Sequence, residues 1–313
     1  MGASERTLVA GRTGMVGSAI LRALAAAGGR ELIAPTREEL DLLDQGAVFR
    51  FLAATRPRCV IAAAARVGGI HANDTRRAEF LYENLAIAAN LIHGAHQAGV
   101  PRLLFLGSSC AYPRDCPQPI REEYLLTGPL EPTNEAYAVA KIAGIRLCDA
   151  YRHQHGRDYF SVMPTNLYGP GDNYDPESSH VMAALIRKTA EAVRGGRDEI
   201  VVWGSGAPRR EFLHVDDLAR ACLFLLDRSP SSRPALTNVG YGEDITIREL
   251  AQLIGESAGF RGTLRFDASR PDGTPRKLLD SGRIRALGWS PLVGLREGIR
   301  RSLGEYLRGG ADD

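Results

Sequence analysis

A tyrosine and a lysine four residues apart stand in the stretch Asn134-Glu135-Ala136-Tyr137-Ala138-Val139-Ala140-Lys141. In a helix that spacing puts both side chains on one face, with roughly 6 Å of rise between them. A phenol ordinarily keeps its proton until about pH 10, and an ammonium beside it favours the phenolate. The pair therefore suits proton exchange with a hydroxyl/carbonyl couple. The same spacing also describes an ordinary helix face carrying a solvated charge, so the surrounding elements decide its meaning.

Those elements alternate strand and helix. Residues 7–10 read as a short apolar strand running into Gly11-Arg12-Thr13-Gly14-Met15-Val16-Gly17, followed by a helix over 18–27. A glycine-rich turn between strand and helix suits a dinucleotide. Gly11 permits the tight turn, Gly14 lets backbone approach the pyrophosphate, and Gly17 allows helix and strand to touch, with the helix N-terminus facing the phosphates. After a second strand at 31–34, Arg37 is placed to meet a 2′-phosphate, and Arg12 can assist from the glycine turn. That favours NADP, although Glu38 stands beside Arg37. Asp41 and Asp44 either approach the adenine or cap the helix expected over 45–55.

A third strand at 59–63 is apolar throughout, as a strand covered on both faces should be. It leads into small residues at 64–70 and one long helix at about 78–98. The fourth strand, 102–107, delivers Leu106, Gly107, Ser108, Ser109 and Cys110 at its C-terminal end, where open α/β sheets bind ligands. The Tyr137 helix, 137–155, precedes a fifth strand at 159–163 that leads into Pro164, Thr165, Asn166 and Leu167.

The alternation predicts an α/β fold, a Rossmann-type doubly wound parallel sheet with right-handed crossovers and a smaller C-terminal substrate-binding lobe. The expected division is a dinucleotide-binding domain over 1–168, with a returning segment near 214–240, and a mainly substrate-binding lobe over 169–313. Within that lobe a helix is expected over 180–194 and a strand over 200–203.

Composition narrows the partners. The chain has 313 residues, 44% apolar and 24% charged, an ordinary balance for two packed lobes. A net charge of +2 gives no general reason to expect nucleic acid or a membrane, so any anion site must be local. The first residues lack an apolar signal core and no apolar run reaches spanning length. The five cysteines are odd in number and without paired spacing, which points to reduced thiols in the cytoplasm. The seven histidines show no ligand spacing, so no metal is expected. His93, His96, His153 and His155 are expected on exposed helix faces, and residues 309–313 are expected to fray.

Several longer segments carry a resemblance: Ala64-Ala65-Arg66-Val67-Gly68-Gly69-Ile70, Leu106-Gly107-Ser108-Ser109-Cys110-Ala111-Tyr112-Pro113, Ser161-Val162-Met163-Pro164-Thr165-Asn166-Leu167-Tyr168-Gly169-Pro170, Arg210-Glu211-Phe212-Leu213-His214-Val215-Asp216-Asp217 and Pro271-Asp272-Gly273-Thr274-Pro275-Arg276-Lys277. With Leu130 to Tyr137, they resemble the extended short-chain dehydrogenase/reductase superfamily and, within it, the GDP-L-fucose synthases, over nearly the whole chain. The resemblance implies an NADPH-dependent enzyme that inverts C3 and C5 of GDP-4-keto-6-deoxy-D-mannose and then reduces C4. A related GDP-L-colitose synthase is the alternative.

By matching position, the resemblance makes Ser108, Tyr137 and Lys141 the reductase triad, with Lys141 lowering the tyrosine pKa. Cys110 and His180 become the acid/base pair of epimerisation, and Lys188, Trp203, Arg210 and Asp267 the contacts to the GDP-sugar. Arg209 is expected to add positive charge for the diphosphate. Gly11 to Gly17, Arg37, Leu106 to Ser109, Lys141, Pro164 to Leu167 and His180 are the expected cofactor contacts. Thr13 departs from the family, where an arginine can help hold the 2′-phosphate, and Lys188 stands where an arginine is also seen. A homodimer through the helices beside the Tyr/Lys helix is implied.

Overall fold

Chain order and strand polarity determine where the cleft opens. The computed structural model describes residues 5–270 and 272–309. In its first half β1 (Glu5–Ala10), α1 (Met15–Ala27), β2 (Arg30–Ile33), α2 (Gln45–Thr55), β3 (Cys59–Ala62), α3 (Ile70–Thr75), α4 (Arg77–Gln97), β4 (Arg102–Leu106), α5 (Glu135–His155) and β5 (Asp158–Pro164) follow one another. Next come β6 (Asn166–Tyr168), α6 (Val181–Arg194), β7 (Glu199–Trp203), β8 (Arg209–His214), α7 (Val215–Leu226) and β9 (Leu236–Val239). The chain continues through β10 (Asp244–Thr246), α8 (Ile247–Ala258), β11 (Thr263–Asp267), β12 (Arg276–Lys277), α9 (Gly282–Ala286) and α10 (Leu295–Gly309). The expected fraying beyond Gly309 falls outside the described residues.

Six strands form the main sheet in the order β2-β1-β3-β4-β5-β9, every neighbouring pair parallel. The α/β doubly wound architecture is therefore as expected. The strand order reverses at β1, with β2 on one side and β3 on the other, so a crevice opens at the carboxyl ends of β1 and β3.

Period-two alternation fills both faces. Leu8, Val60, Leu103 and Phe105 face one core with residues of α2, α4 and α5. Val9, Ile61, Leu104 and Leu106 face the other with residues of α1 and α7. Each of these strand residues is almost fully buried, and burial of a side chain of this size contributes about 2 kcal/mol. A third core of Tyr168, Met182, Ile186, Val202, Phe212, Leu250 and Ile299 joins α6, α8 and α10 to the short strands of the second lobe.

Two local expectations need correction. Before the long helix comes a separate turn, α3, because Gly69 caps it and the buried Asn73 amide donates to the carbonyls of Gly68 (2.7 Å) and Gly69 (3.0 Å). His93 and His96 are half-buried rather than exposed. Where α4 lies along α5, the His96 ring sits 4.5 Å from both Tyr151 and His155, and His93 Nδ1 meets the Tyr151 hydroxyl. Asp44 does cap α2, accepting from the Ala47 N–H at 2.9 Å. The five cysteines are free thiols. Among the described residues no helix is long and apolar enough to cross a membrane, and no cluster of three or more metal-binding side chains forms.

Candidate active site

The C-terminal end of β4 supplies the first side chains. At Gly107 an added Cβ would lie 2.5 Å from Met163 Sδ and 3.2 Å from the Val162 carbonyl oxygen, so the chain passes close to β5 there. Ser108 then caps a short 3₁₀ turn, its Oγ accepting from the Cys110 N–H at 3.3 Å. That turn aims Ser108 and Cys110 into the cleft and leaves Ser109 buried beneath them.

Helix α5 supplies the partners. Tyr137 stands at the start of α5 with its phenol under the influence of Ser108, and Lys141, one turn on, is buried. Lys141 Nζ donates to the Leu106 carbonyl at 2.8 Å and lies 5.0 Å from the Phe105 ring centroid and 5.7 Å from that of Tyr137. The expected lowering of the tyrosine pKa does not occur in this geometry. Burial raises the phenol well above its ordinary value, the negative charge available at Cys110 raises it further, and the Ser108 hydrogen bond only partly opposes them. Burial also pushes the Lys141 ammonium down to about 8. Both groups are driven toward their neutral forms by burial.

Cys110 has two partners that sequence reasoning did not single out. Asn134 Nδ2 lies 3.6 Å from its sulfur and Lys277 Nζ lies 3.5 Å away. Strand β12 delivers Lys277 by pairing in parallel with β8, in register with Arg210. Both residues stood inside the resembling segments; Pro271, from the same segment as Lys277, lies outside the described residues. His180 is the cap residue of α6, with its ring exposed in the cleft. The atoms around it, and then the Lys277 charge, hold its pKa below the ordinary imidazole value. Lys277 thus links the cysteine and the histidine.

The glycine turn fits a dinucleotide. Gly11 has φ +97° and no room for a side chain, since a Cβ would lie 2.8 Å from Ala64 backbone. A Cβ on Gly17 would lie 2.0 Å from the Gly11 carbonyl oxygen, so the turn closes on α1 only with glycine there. No side chain caps α1, which leaves its first N–H groups directed at the cleft. Arg12, Thr13 and Gly14 are exposed, with Met15 and Val16 half-buried behind them. Arg12 donates to the Ala34 carbonyl (3.0 Å), which brings its guanidinium to the end of β2, and Arg37 is exposed just beyond. Pro164 and Thr165 are buried at the end of β5. Thr165 Oγ1 (3.3 Å) and Asn166 Nδ2 (2.8 Å) donate to the Glu211 carbonyl, and Leu167 turns into the core. These residues make a rigid wall beside β4.

A second cluster forms in the smaller lobe. Trp203 is 54% exposed, with Lys188 Nζ 4.9 Å and the Arg270 guanidinium 4.8 Å from its ring centroid. Pairing of β7 with β11 sets Asp267 opposite Trp203. Burial first, then Arg187 and Arg270, holds the Lys188 pKa low. Two cations against an exposed indole suit a base and a diphosphate. Arg270 was missed because nothing in its sequence neighbourhood marks it. Arg210 donates to the carbonyls of Arg209 (2.8 Å) and Asp272 (3.5 Å). Arg209 does not join it: neighbours on a strand face opposite ways, and Arg209 pairs with Asp244 at 2.7 Å instead.

The profile of the NAD dependent epimerase/dehydratase family matches residues 7–240. GDP-L-fucose synthase 1 of Arabidopsis thaliana is 55% identical over 97% of this chain and 94% of its own length. GDP-L-fucose synthase of Escherichia coli (strain K12) is 54% identical over 97% of each chain. The structure of a GDP-L-fucose synthetase from Naegleria fowleri bound to NADP superposes with a TM-score of 0.89 at 27% identity, covering 99% of this chain and 96% of that one. A glycine cradle, a Ser/Tyr/Lys group and a Cys/His pair in one cleft, with relatives this similar over nearly the full length, lead to one assignment: the chain belongs to the NAD dependent epimerase/dehydratase family and, within it, to the GDP-L-fucose synthases.

Proposed function

We propose that this chain inverts C3 and C5 of GDP-4-keto-6-deoxy-D-mannose and reduces C4 with NADPH, giving GDP-L-fucose. The observation that carries the reading is that two proton-handling sets share one cleft. Ser108 and Cys110 both act on the Tyr137 phenol, the hydroxyl favouring its charged form and the charge at the sulfur opposing it.

The C4 ketone acidifies the hydrogens at C3 and C5, because either carbanion delocalises into an enolate. Cys110 removes a proton from one face, and His180 delivers one from the other. Thiol and imidazole both exchange protons near neutrality. Lys277 Nζ stands 3.5 Å from the sulfur, on its donor side.

NADPH, when bound, supplies the hydride for C4. Gly11 to Gly17 would hold its pyrophosphate, Arg12 and Arg37 its 2′-phosphate, and Leu106 to Ser109, Lys141, Pro164 to Leu167 and His180 its nicotinamide end. As charge builds on the C4 oxygen, Ser108 and Tyr137 donate to it and Tyr137 yields its proton. With its pKa near 8, Lys141 is still mostly protonated at neutral pH and offsets part of the cost of forming the phenolate. Loss of the ketone then makes C3 and C5 inert and locks their configuration.

In the smaller lobe, Lys188, Trp203, Arg210 and Asp267 hold the GDP moiety. The enzyme works in the cytoplasm as a homodimer through α4 and α5, whose outer faces expose Tyr82, Leu85 and Val139.

The test is to supply GDP-4-keto-6-deoxy-D-mannose and follow NADPH. One equivalent oxidised per GDP-L-fucose formed supports the reading. Epimerised sugar without cofactor consumption contradicts it.

A further inference from the structure

The loop after β3 makes one contact that the chemistry above does not use. The Gly69 N–H donates to the Ser178 carbonyl at 2.8 Å, across the cleft mouth. A Cβ on Gly69 would stand 2.8 Å from the Ser179 carbonyl oxygen and 3.4 Å from that of Ser178. Both are backbone atoms, so no rotamer change relieves the clash. The Gly69 dihedrals, φ −66° and ψ 179°, are open to any residue. Space, not conformation, requires glycine here. The next residue along the contacted segment is His180.

We propose that Gly69 is a positioning residue for His180: its missing side chain lets the 178–179 backbone lie against the loop, which places the imidazole for protonating the sugar. The loop itself is rigid. Asn84 Oδ1 accepts from the Arg66 N–H at 2.8 Å while its Nδ2 donates to the Arg66 carbonyl at 3.0 Å. Asn73 fixes Gly68 and Gly69 from within. At its other end Ala64 touches Gly11 of the glycine turn. The His180 segment therefore rests on a braced surface. His180 has no side-chain capping bond of its own to hold it. A methyl group at residue 69 must move the 178–179 segment, because the clamped loop cannot yield.

The inference rests on the acid role of His180, and a double-mutant cycle separates the two. Gly69→Ala, His180→Gln and the double variant are assayed with NADPH and GDP-4-keto-6-deoxy-D-mannose. The fraction of product inverted at C3 and C5 is read by NMR, per NADPH-binding site counted by fluorescence titration. That normalisation removes any unfolded fraction. Gly68→Ala is the control, since a Cβ there meets side chains of Ala72 (3.0 Å) and Phe80 (3.2 Å) rather than the His180 segment.

Expected are a tenfold or greater loss of inversion in Gly69→Ala, little change in Gly68→Ala, and no further loss when Gly69→Ala is added to His180→Gln. Full inversion in Gly69→Ala, an equal loss in Gly68→Ala, or additive losses in the double variant would overturn the proposal. Unimpaired His180→Gln would instead remove the acid role on which it rests.

Discussion

Lys277 Nζ stands 3.5 Å from Cys110 Sγ, although 167 residues of chain separate them. The segment that carries the lysine is tied down on both sides. Leu278 accepts from the Ile120 N–H (2.7 Å) through its carbonyl, and its own N–H donates to Gln118 Oε1 (2.9 Å). The buried Glu211 carboxylate accepts from the Leu279 N–H at 3.0 Å. An ammonium held this firmly beside a thiol acts on its charge. A charge pair near this distance is worth roughly 1–4 kcal/mol between water and a half-buried site. Lys277→Met is therefore expected to lower C3/C5 inversion about 10- to 1000-fold, with NADPH affinity unchanged. NMR analysis of the product checks this; full inversion would remove Lys277 from the chemistry.

Lys141 costs stability. Its pKa falls from 10.5 to about 8 on folding, so between those values the unfolded chain binds more protons than the folded one. Stability consequently rises with pH across that window and is lowest below pH 8. The full shift corresponds to roughly 3 kcal/mol. Lys141→Met should unfold at a higher denaturant concentration at pH 7, lack the rise between pH 8 and 10, and reduce no substrate. Denaturant titrations at the two pH values decide it. A less stable variant at pH 7 would mean that the Leu106 hydrogen bond outweighs the burial cost.

Removing only the phenolic oxygen separates the two half-reactions. Tyr137→Phe should slow NADPH oxidation by roughly 10²–10⁴-fold, the usual contribution of a positioned proton donor. Solvent deuterium should still enter C3 and C5 of recovered substrate. If label uptake vanishes with reduction, Tyr137 serves both steps and the division of labour fails.

Cofactor choice follows from two exposed cations. Arg12 and Arg37 flank the end of β2, and substitution of both by Ala removes the charge facing a 2′-phosphate. Affinity for NADPH should drop at least tenfold while that for NADH stays within about twofold, read by fluorescence titration. Parallel losses for both cofactors would place the 2′-phosphate elsewhere.

Much of this was legible in the chain because it is local. The apolar run at β3, the strand–glycine–helix order at Gly11 and the four-residue step from Tyr137 to Lys141 each follow from periodicity within a few residues. What was not legible depends on long-range pairing. Lys277 meets Cys110 only because β12 joins β8, and Arg270 meets Trp203 only because the chain turns back after β11. Arg209 misled because a row of two arginines does not show which faces the cleft until strand register is known. The tyrosine pKa misled because burial, absent from a helical-wheel picture, raises it, and the charge at Cys110 adds to the rise.

The most direct measurement is a single turnover in D₂O with unlabelled GDP-4-keto-6-deoxy-D-mannose and excess NADPH, with label located by NMR. GDP-L-fucose carrying deuterium at C3 and C5 but protium at C4, with that label lost in Cys110→Ser, is the expected result. A reduced sugar that keeps its original hydrogens and configuration at C3 and C5 would contradict the shared cleft.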